Sequence, residues 1–242
     1  MLEAALWGFV GGFALLVGAA IGLRGRVSQR TIGIVMGFGA GALISALAFD
    51  LTAESFARGG TLSVAGGLAC GGLTFFAGDR ILDSRGGDAR KRSGGQQQDG
   101  QANAIVLGAV LDGVPESVVI GVSLLEGGGV GVATVAAVFM SNVPESLAAA
   151  TGLRKAGHSS RWVMLLWLGV ALISALAAGV GYAVLGDASG GAVAFVQAFA
   201  AGAILTMLAD TMMPESFDHA GDVVGLVTLL GFASAFLLGT VD

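Results

Sequence analysis

All three prolines of the chain occur in the same short phrase, an apolar residue followed by Pro-Glu-Ser. Each copy lies in, or at the end of, an apolar stretch long enough to cross a membrane, where a carboxylate is costly and usually functional. Proline also removes one backbone donor, which leaves the carbonyl four residues earlier partly free. A glutamate beside a freed carbonyl is suited to a cation site or a cation path. The freed carbonyls belong to Leu111, Met140 and Asp210.

The composition indicates an integral membrane protein. Of the 242 residues, 55% are hydrophobic and 12% are charged, and the mean hydropathy is +0.83, which is too apolar for a soluble domain of this length. The 42 glycines are spread through the apolar segments, as expected for helices that approach one another closely in lipid. Cys70 is the only cysteine, so an intrachain disulfide and a multi-cysteine zinc site are both excluded.

The hydrophobic pattern predicts an all-α integral membrane protein with a single transmembrane domain over residues 1–242. Each predicted span is close to the roughly 20 residues that cross a bilayer as a helix. Residues 81–102 are polar and rich in Arg, Gly and Gln, and we expect a flexible cytoplasmic loop there. The eight spans cover about 4–23, 31–53, 62–80, 103–124, 128–151, 162–185, 191–213 and 221–240.

The basic residues predict the orientation in the membrane. Eleven of the 12 Lys and Arg residues fall in the loops after spans one, three and five, and only Arg58 falls on the other side. The positive-inside rule therefore places these loops in the cytoplasm. We expect a multi-pass protein of the cell (plasma) membrane, with both termini extracytoplasmic.

An internal repeat relates span two to span seven at a constant offset of 161. The match begins with Phe38 against Phe199 and ends with Phe56 against Phe217. Five crossings separate the two copies, so they run in opposite directions, as in the inverted repeats of many transporters. Spans four and five carry a second repeat, at an offset of 29. The predicted arrangement is 3+2+3, with spans 1–3 inverted against spans 6–8.

The acids near the middle of the central pair predict a metal site. Asp112 and Glu116 are one helical turn apart in span four, and Ser141, Asn142 and Glu145 lie at a similar depth in span five. Carboxylate, amide, hydroxyl and loosened carbonyl oxygens together suit a divalent cation. The alternative is that the prolines only kink the helices and the polar groups bond to one another.

Further acids lie where a path to this site would run. Span two runs outward, so its acids approach the outer face, and span seven runs inward, so its acids approach the cytoplasm. For most of these residues the alternative is an ordinary helix end at the interface. The predicted transport pathway consists of Asp50 and Glu54 on the outer side and Asp210, Glu215, Asp218 and His219 on the inner side.

At these residues the chain resembles the ZIP family of divalent-metal transporters. The family's fourth-span motif, His-Asn-x-Pro-Glu-Gly, is similar to residues 112–117, and its fifth-span motif is similar to residues 141–146. Its second-span motif, His-x-x-Pro-Glu, resembles residues 50–54. The chain departs from the family in having Asp50 and Asp112 in place of histidines and Gly113 in place of asparagine. Where binuclear members have an acid in span six, the chain offers only Ser174.

The resemblance implies eight spans, a metal site shared by spans four and five, and alternating access by a sliding bundle. The transported substrate would be zinc, manganese or iron(II), with no organic cofactor and no nucleic-acid partner. A non-transporting or regulatory membrane protein with the same fold is the main alternative, and a carrier of protons or organic solutes stays open. An enzyme is not expected, because the chain lacks His-Glu-x-x-His and Gly-x-Ser-x-Gly. Gly67 and Gly71 could line a homodimer contact or pack within one chain.

Overall fold

A computed structural model describes residues 1–25, 27–84, 102–126 and 131–240. These residues form helices and contain no strand, so the predicted all-α class is confirmed for the described part of the chain. Residues 85–101, which make up most of the predicted loop, lie outside it. The helices are α1 (Leu2–Arg24), α2 (Gln29–Ala46), α3 (Glu54–Leu82), α4 (Ala102–Ser123), α5 (Val132–Lys155), α6 (Ser160–Leu185), α7 (Gly190–Met207), α8 (Met213–Ala220) and α9 (Val223–Gly239).

Several of these helices are long and apolar enough to cross a membrane. Five continuous helical stretches in the described residues meet this condition, and α9 is a shorter apolar helix of 17 residues. One of the five stretches, Gln29–Leu82, has 54 residues, far more than the roughly 20 that a single crossing needs. It is broken at Gly60, whose φ of 69° is in the left-handed region that glycine adopts without steric cost.

Local structure repeats at the same offset of 161 as the sequence. Ser28 caps the N-terminus of α2, and Ser189 caps that of α7 in the same way. A π-helical segment follows each of these helices, Leu47–Ala53 after α2 and Leu208–Met212 after α7. Gly221, which lies 161 positions after Gly60, is also in the left-handed region, with a φ of 65°. Both copies therefore share a cap, a π-helical segment and a glycine break.

Helices α1, α4, α5 and α6 form one group, with α1 in contact with the other three. Helix α1 runs parallel to α5, since Gly11 lies against Val138 and Gly22 against Leu147. It runs antiparallel to α6, because Gly8 lies against Ala178 and Gly12 against Ala171. Helix α4 packs along α6, with Gly121 at the carbonyl of Ala178.

Two parallel helix pairs pack against this group. Helix α2 pairs with α9 and contacts α5, while α3 pairs with α7, which contacts α4. Glycines allow the helices of both pairs to approach closely. A Cβ at Gly41 would overlap the carbonyl of Thr228, and one at Gly71 would overlap that of Phe199. Gly67 likewise lies at the carbonyl of Phe195. Gly67 and Gly71 therefore pack against α7 of the same chain, which is the second of the two alternatives for this pair.

Candidate functional site

The five predicted metal-site residues are all buried. Each side chain is at most 4% exposed, although the set contains three carboxylates, an amide and a hydroxyl. Burial of this kind is costly for carboxylates that do no work, so it favours a functional role. The residues are Asp112 and Glu116 in α4 and Ser141, Asn142 and Glu145 in α5.

Each proline of the paired motifs lies inside a continuous helix. Pro115 is within α4 and Pro144 within α5, and neither helix ends there. The serine that closes each motif bonds back to the carbonyl four residues earlier, Ser117 to Gly113 at 2.6 Å and Ser146 to Asn142 at 2.8 Å. These two hydroxyls therefore donate their hydrogen bonds to the backbone of their own helix.

The other polar side chains of the α5 motif are oriented by hydrogen bonds. The amide nitrogen of Asn142 donates to the carbonyl of Gly11 in α1, 3.2 Å away, so the amide oxygen is the end left for a cation. The hydroxyl of Ser141 donates to the carbonyl of Val138 at 2.9 Å, which leaves its lone pairs as the ligating part. Helix α1 thus contacts the α5 motif directly and fixes the orientation of the Asn142 amide.

The structure places the two motifs on helices that share α1 as their main common neighbour. Helices α4 and α5 contact each other only slightly, whereas each packs against α1. Within the part of the chain that the structure describes, no three His, Cys, Asp or Glu side chains are close enough to hold a metal ion. In this conformation a cation at the motifs would take at most two carboxylates, with its other ligands from amide, hydroxyl, carbonyl or water oxygens.

The predicted outer pathway residues lie at the end of the α2 copy of the repeat. Asp50 is half-buried in the π-helical segment, and its Oδ2 accepts a hydrogen bond from Thr134 of α5 at 2.9 Å. Glu54, one turn further on, is 3.7 Å from the guanidinium of Arg58. Asp50 therefore lies where the α2 copy meets α5, which carries half of the candidate site.

The predicted inner pathway residues occupy the matching end of the α7 copy. Asp210 is in the second π-helical segment and is exposed, as is Asp218 in α8. Glu215 is 3.8 Å from His219. Glu54 and Arg58 are related to Glu215 and His219 by the offset of 161, so each copy has an acid and a base one turn apart just before its glycine break.

Among the buried or bonded polar residues that were not singled out from the sequence, Asp79, Gln197 and Thr134 stand out. Asp79 is a buried acid of α3, and Gln197 is a buried amide of α7, at 8% and 2% exposure. Both are polar residues within apolar stretches, and this pattern could have marked them as candidates from the sequence alone. Thr134 has no such signal, because a threonine at a helix start is ordinary.

A scan against models of known protein families finds no match to this chain. A search of curated proteins likewise finds no similar sequence.

Proposed function

We propose that this protein is a ZIP-type transporter that carries divalent transition-metal cations across a membrane. The observation that supports the proposal most directly is the burial of Asp112, Glu116 and Glu145 inside two long apolar helices. A buried carboxylate is stabilised when a cation or a polar group lies beside it, and binding of a transported cation would explain why these carboxylates are buried.

The proposed arrangement has eight crossings, with spans 1–3 inverted against spans 6–8. Helix packing supports it: α2 runs parallel to α9 and α3 parallel to α7, as the inverted relationship requires. The close glycine contacts correspond as well. Gly41 of α2 lies at the carbonyl of Thr228 in α9. In the other copy, Gly202 of α7 lies in the same way at the carbonyl of Leu68 in α3. The shared caps, π-helical segments and glycine breaks add local support.

The proposed site uses oxygen ligands only. Asp112, Glu116 and Glu145 would supply charge, at most two of them at a time in this conformation, and Ser141 and Asn142 would supply neutral oxygens. Such a set suits manganese and iron(II) better than a histidine site does, while zinc still binds it under the general affinity order. Magnesium is disfavoured as a substrate, since it gives up its water reluctantly.

The proposed path leads through the two ends of the repeat. Asp50 and Glu54 would receive the cation at the outer face, and Asp210, Glu215, Asp218 and His219 would release it on the cytoplasmic side. Alternating access would come from the group of α1, α4, α5 and α6 moving against the α2/α9 and α3/α7 pairs, which contact it chiefly through α5 and α4. The protein would reside in the plasma membrane with both termini outside.

The deciding experiment is metal uptake by purified protein in proteoliposomes. We expect time-dependent accumulation of manganese, iron(II) or zinc that exceeds the leak of protein-free vesicles. Accumulation no faster than that leak, for all three metals, would favour the alternative of a non-transporting or regulatory membrane protein that keeps the fold.

A further inference from the structure

A pocket of about 110 Å³ lies among the π-helical segment after α2, the start of α5 and the last turns of α9. Its walls are mostly small apolar residues and two phenyl rings, and among the described residues its one charged lining group is the carboxylate of Asp50. The lining residues that matter here are Ser45, Phe49, Asp50, Ala133, Phe236 and Thr240.

The two phenyl rings form an aromatic wall. The centroids of Phe49 and Phe236 are 5.1 Å apart, and the rings are inclined by 52° to each other. Phe232 supports Phe49 from the side, at 6.0 Å. The rings present an apolar surface with negative faces, so they suit the alkyl group of a cationic ligand.

The polar side of the pocket includes two oriented hydrogen-bond acceptors. Oδ2 of Asp50 is held by the hydroxyl of Thr134 at 2.9 Å, which orients the carboxylate. The hydroxyl of Thr240 donates to the carbonyl of Leu237 at 2.7 Å, so toward a ligand it can offer its lone pairs. These acceptors and the charge of Asp50 favour a ligand that carries donors and a positive charge.

We propose that this pocket binds a small alkylammonium ion, with its ammonium group on Asp50 and its alkyl group against Phe49, Phe236 and Ala133. A divalent metal ion on its way to the central site would not be held in this pocket, because it takes about four to six ligands and the described lining offers one carboxylate and two hydroxyls. An anion is repelled by the carboxylate. A cavity of this size holds several waters, which is room for about four to six non-hydrogen atoms. This binding does not depend on whether the protein carries a metal.

The test measures binding of tert-butylammonium to the detergent-solubilised protein by saturation-transfer NMR. The probe is tert-butylammonium chloride, and its matched control is tert-butanol, which has the same shape without the charge. We expect saturable binding of the ammonium ion and affinity for the alcohol that is lower by about tenfold or more. No saturable binding of tert-butylammonium, or equal affinity for the two compounds, would overturn the proposal.

Variants locate the binding in the pocket. Asp50→Asn should weaken tert-butylammonium binding about tenfold, and Phe236→Leu should weaken it about threefold by removing one ring face. Asp187→Asn neutralises an exposed aspartate between α6 and α7 and should change nothing, which separates the pocket from general attraction to a negative surface. Unchanged affinity in Asp50→Asn would overturn the proposal, and the comparison with tert-butanol in the parent protein decides the matter even if a variant fails to fold.

Discussion

The hydroxyl of Thr134 donates a hydrogen bond to Oδ2 of Asp50 over 2.9 Å, and this bond joins the start of α5 to the π-helical segment after α2. One partner belongs to the group of α1, α4, α5 and α6, and the other to the α2/α9 pair. The bond therefore ties together two parts that the proposed mechanism moves against each other.

Thr134→Val removes this donor and keeps the side-chain shape. We expect the free energy of unfolding to fall by about 1 kcal/mol, because a bond to a charged group is lost while water can still reach the half-buried carboxylate. Thr134→Ser retains the hydroxyl and should lose much less. Thermal unfolding of both variants in detergent measures the difference, and equal midpoints for Val and Ser would show that the bond contributes nothing.

Glu116→Gln and Glu145→Gln should each abolish metal uptake while the protein still folds and inserts. Each change removes a full charge from a buried site, where no bulk water replaces it, and leaves the shape nearly unchanged. Ser141→Ala should cost less, since a hydroxyl is a weaker ligand that water can replace. Uptake is measured in proteoliposomes, with Asp187→Asn as the control. Uptake by either glutamine variant at the parent rate would refute the central site.

The orientation can be tested by labelling in sealed cells or vesicles. Cys70 is exposed and must first be replaced by alanine. In that background we expect Glu54→Cys to react with an impermeant thiol reagent from outside and Asp218→Cys from the cytoplasmic side only. The reverse pattern would contradict both the proposed topology and the proposed path.

Asp112→His should raise the preference for zinc over manganese. Imidazole nitrogen favours zinc, whereas a carboxylate suits the harder manganese ion. The measurement is a competition series in proteoliposomes that compares the ratio of zinc to manganese uptake in the parent and the variant. If the ratio does not move, Asp112 is not a direct ligand of the transported ion.

Gly71→Ala should destabilise the protein by about 1–3 kcal/mol, the usual cost of overpacking. The added methyl group would overlap the carbonyl of Phe199, so α3 and α7 would have to separate. Gly169→Ala is the matched control, because a Cβ there meets nothing within 4 Å and alanine is the better helix former. Thermal unfolding should therefore show a lower midpoint for the first variant and an unchanged or higher one for the second. A Gly71→Ala protein as stable as the parent would contradict the close packing of α3 on α7.

The sequence by itself determined the helical class, the membrane character and the internal repeat. The caps at Ser28 and Ser189 and the breaks at Gly60 and Gly221 obey the same offset as the sequence match, because local conformation follows from local residue types. The burial of Glu116 and Glu145 was also predictable, since both lie in the middle of apolar runs.

Only the tertiary structure decided which helices pair. In segments that are apolar on every side, periodicity does not mark the face that meets a partner, and close approach at single glycines selects it instead. The spacing of Gly67 and Gly71 marked them as packing positions, but it did not indicate that Gly71 packs on Phe199 of the same chain. The bonds of Asn142 to Gly11 and of Thr134 to Asp50 join residues 131 and 84 positions apart, and they exist because folding brings separate helices within hydrogen-bond distance.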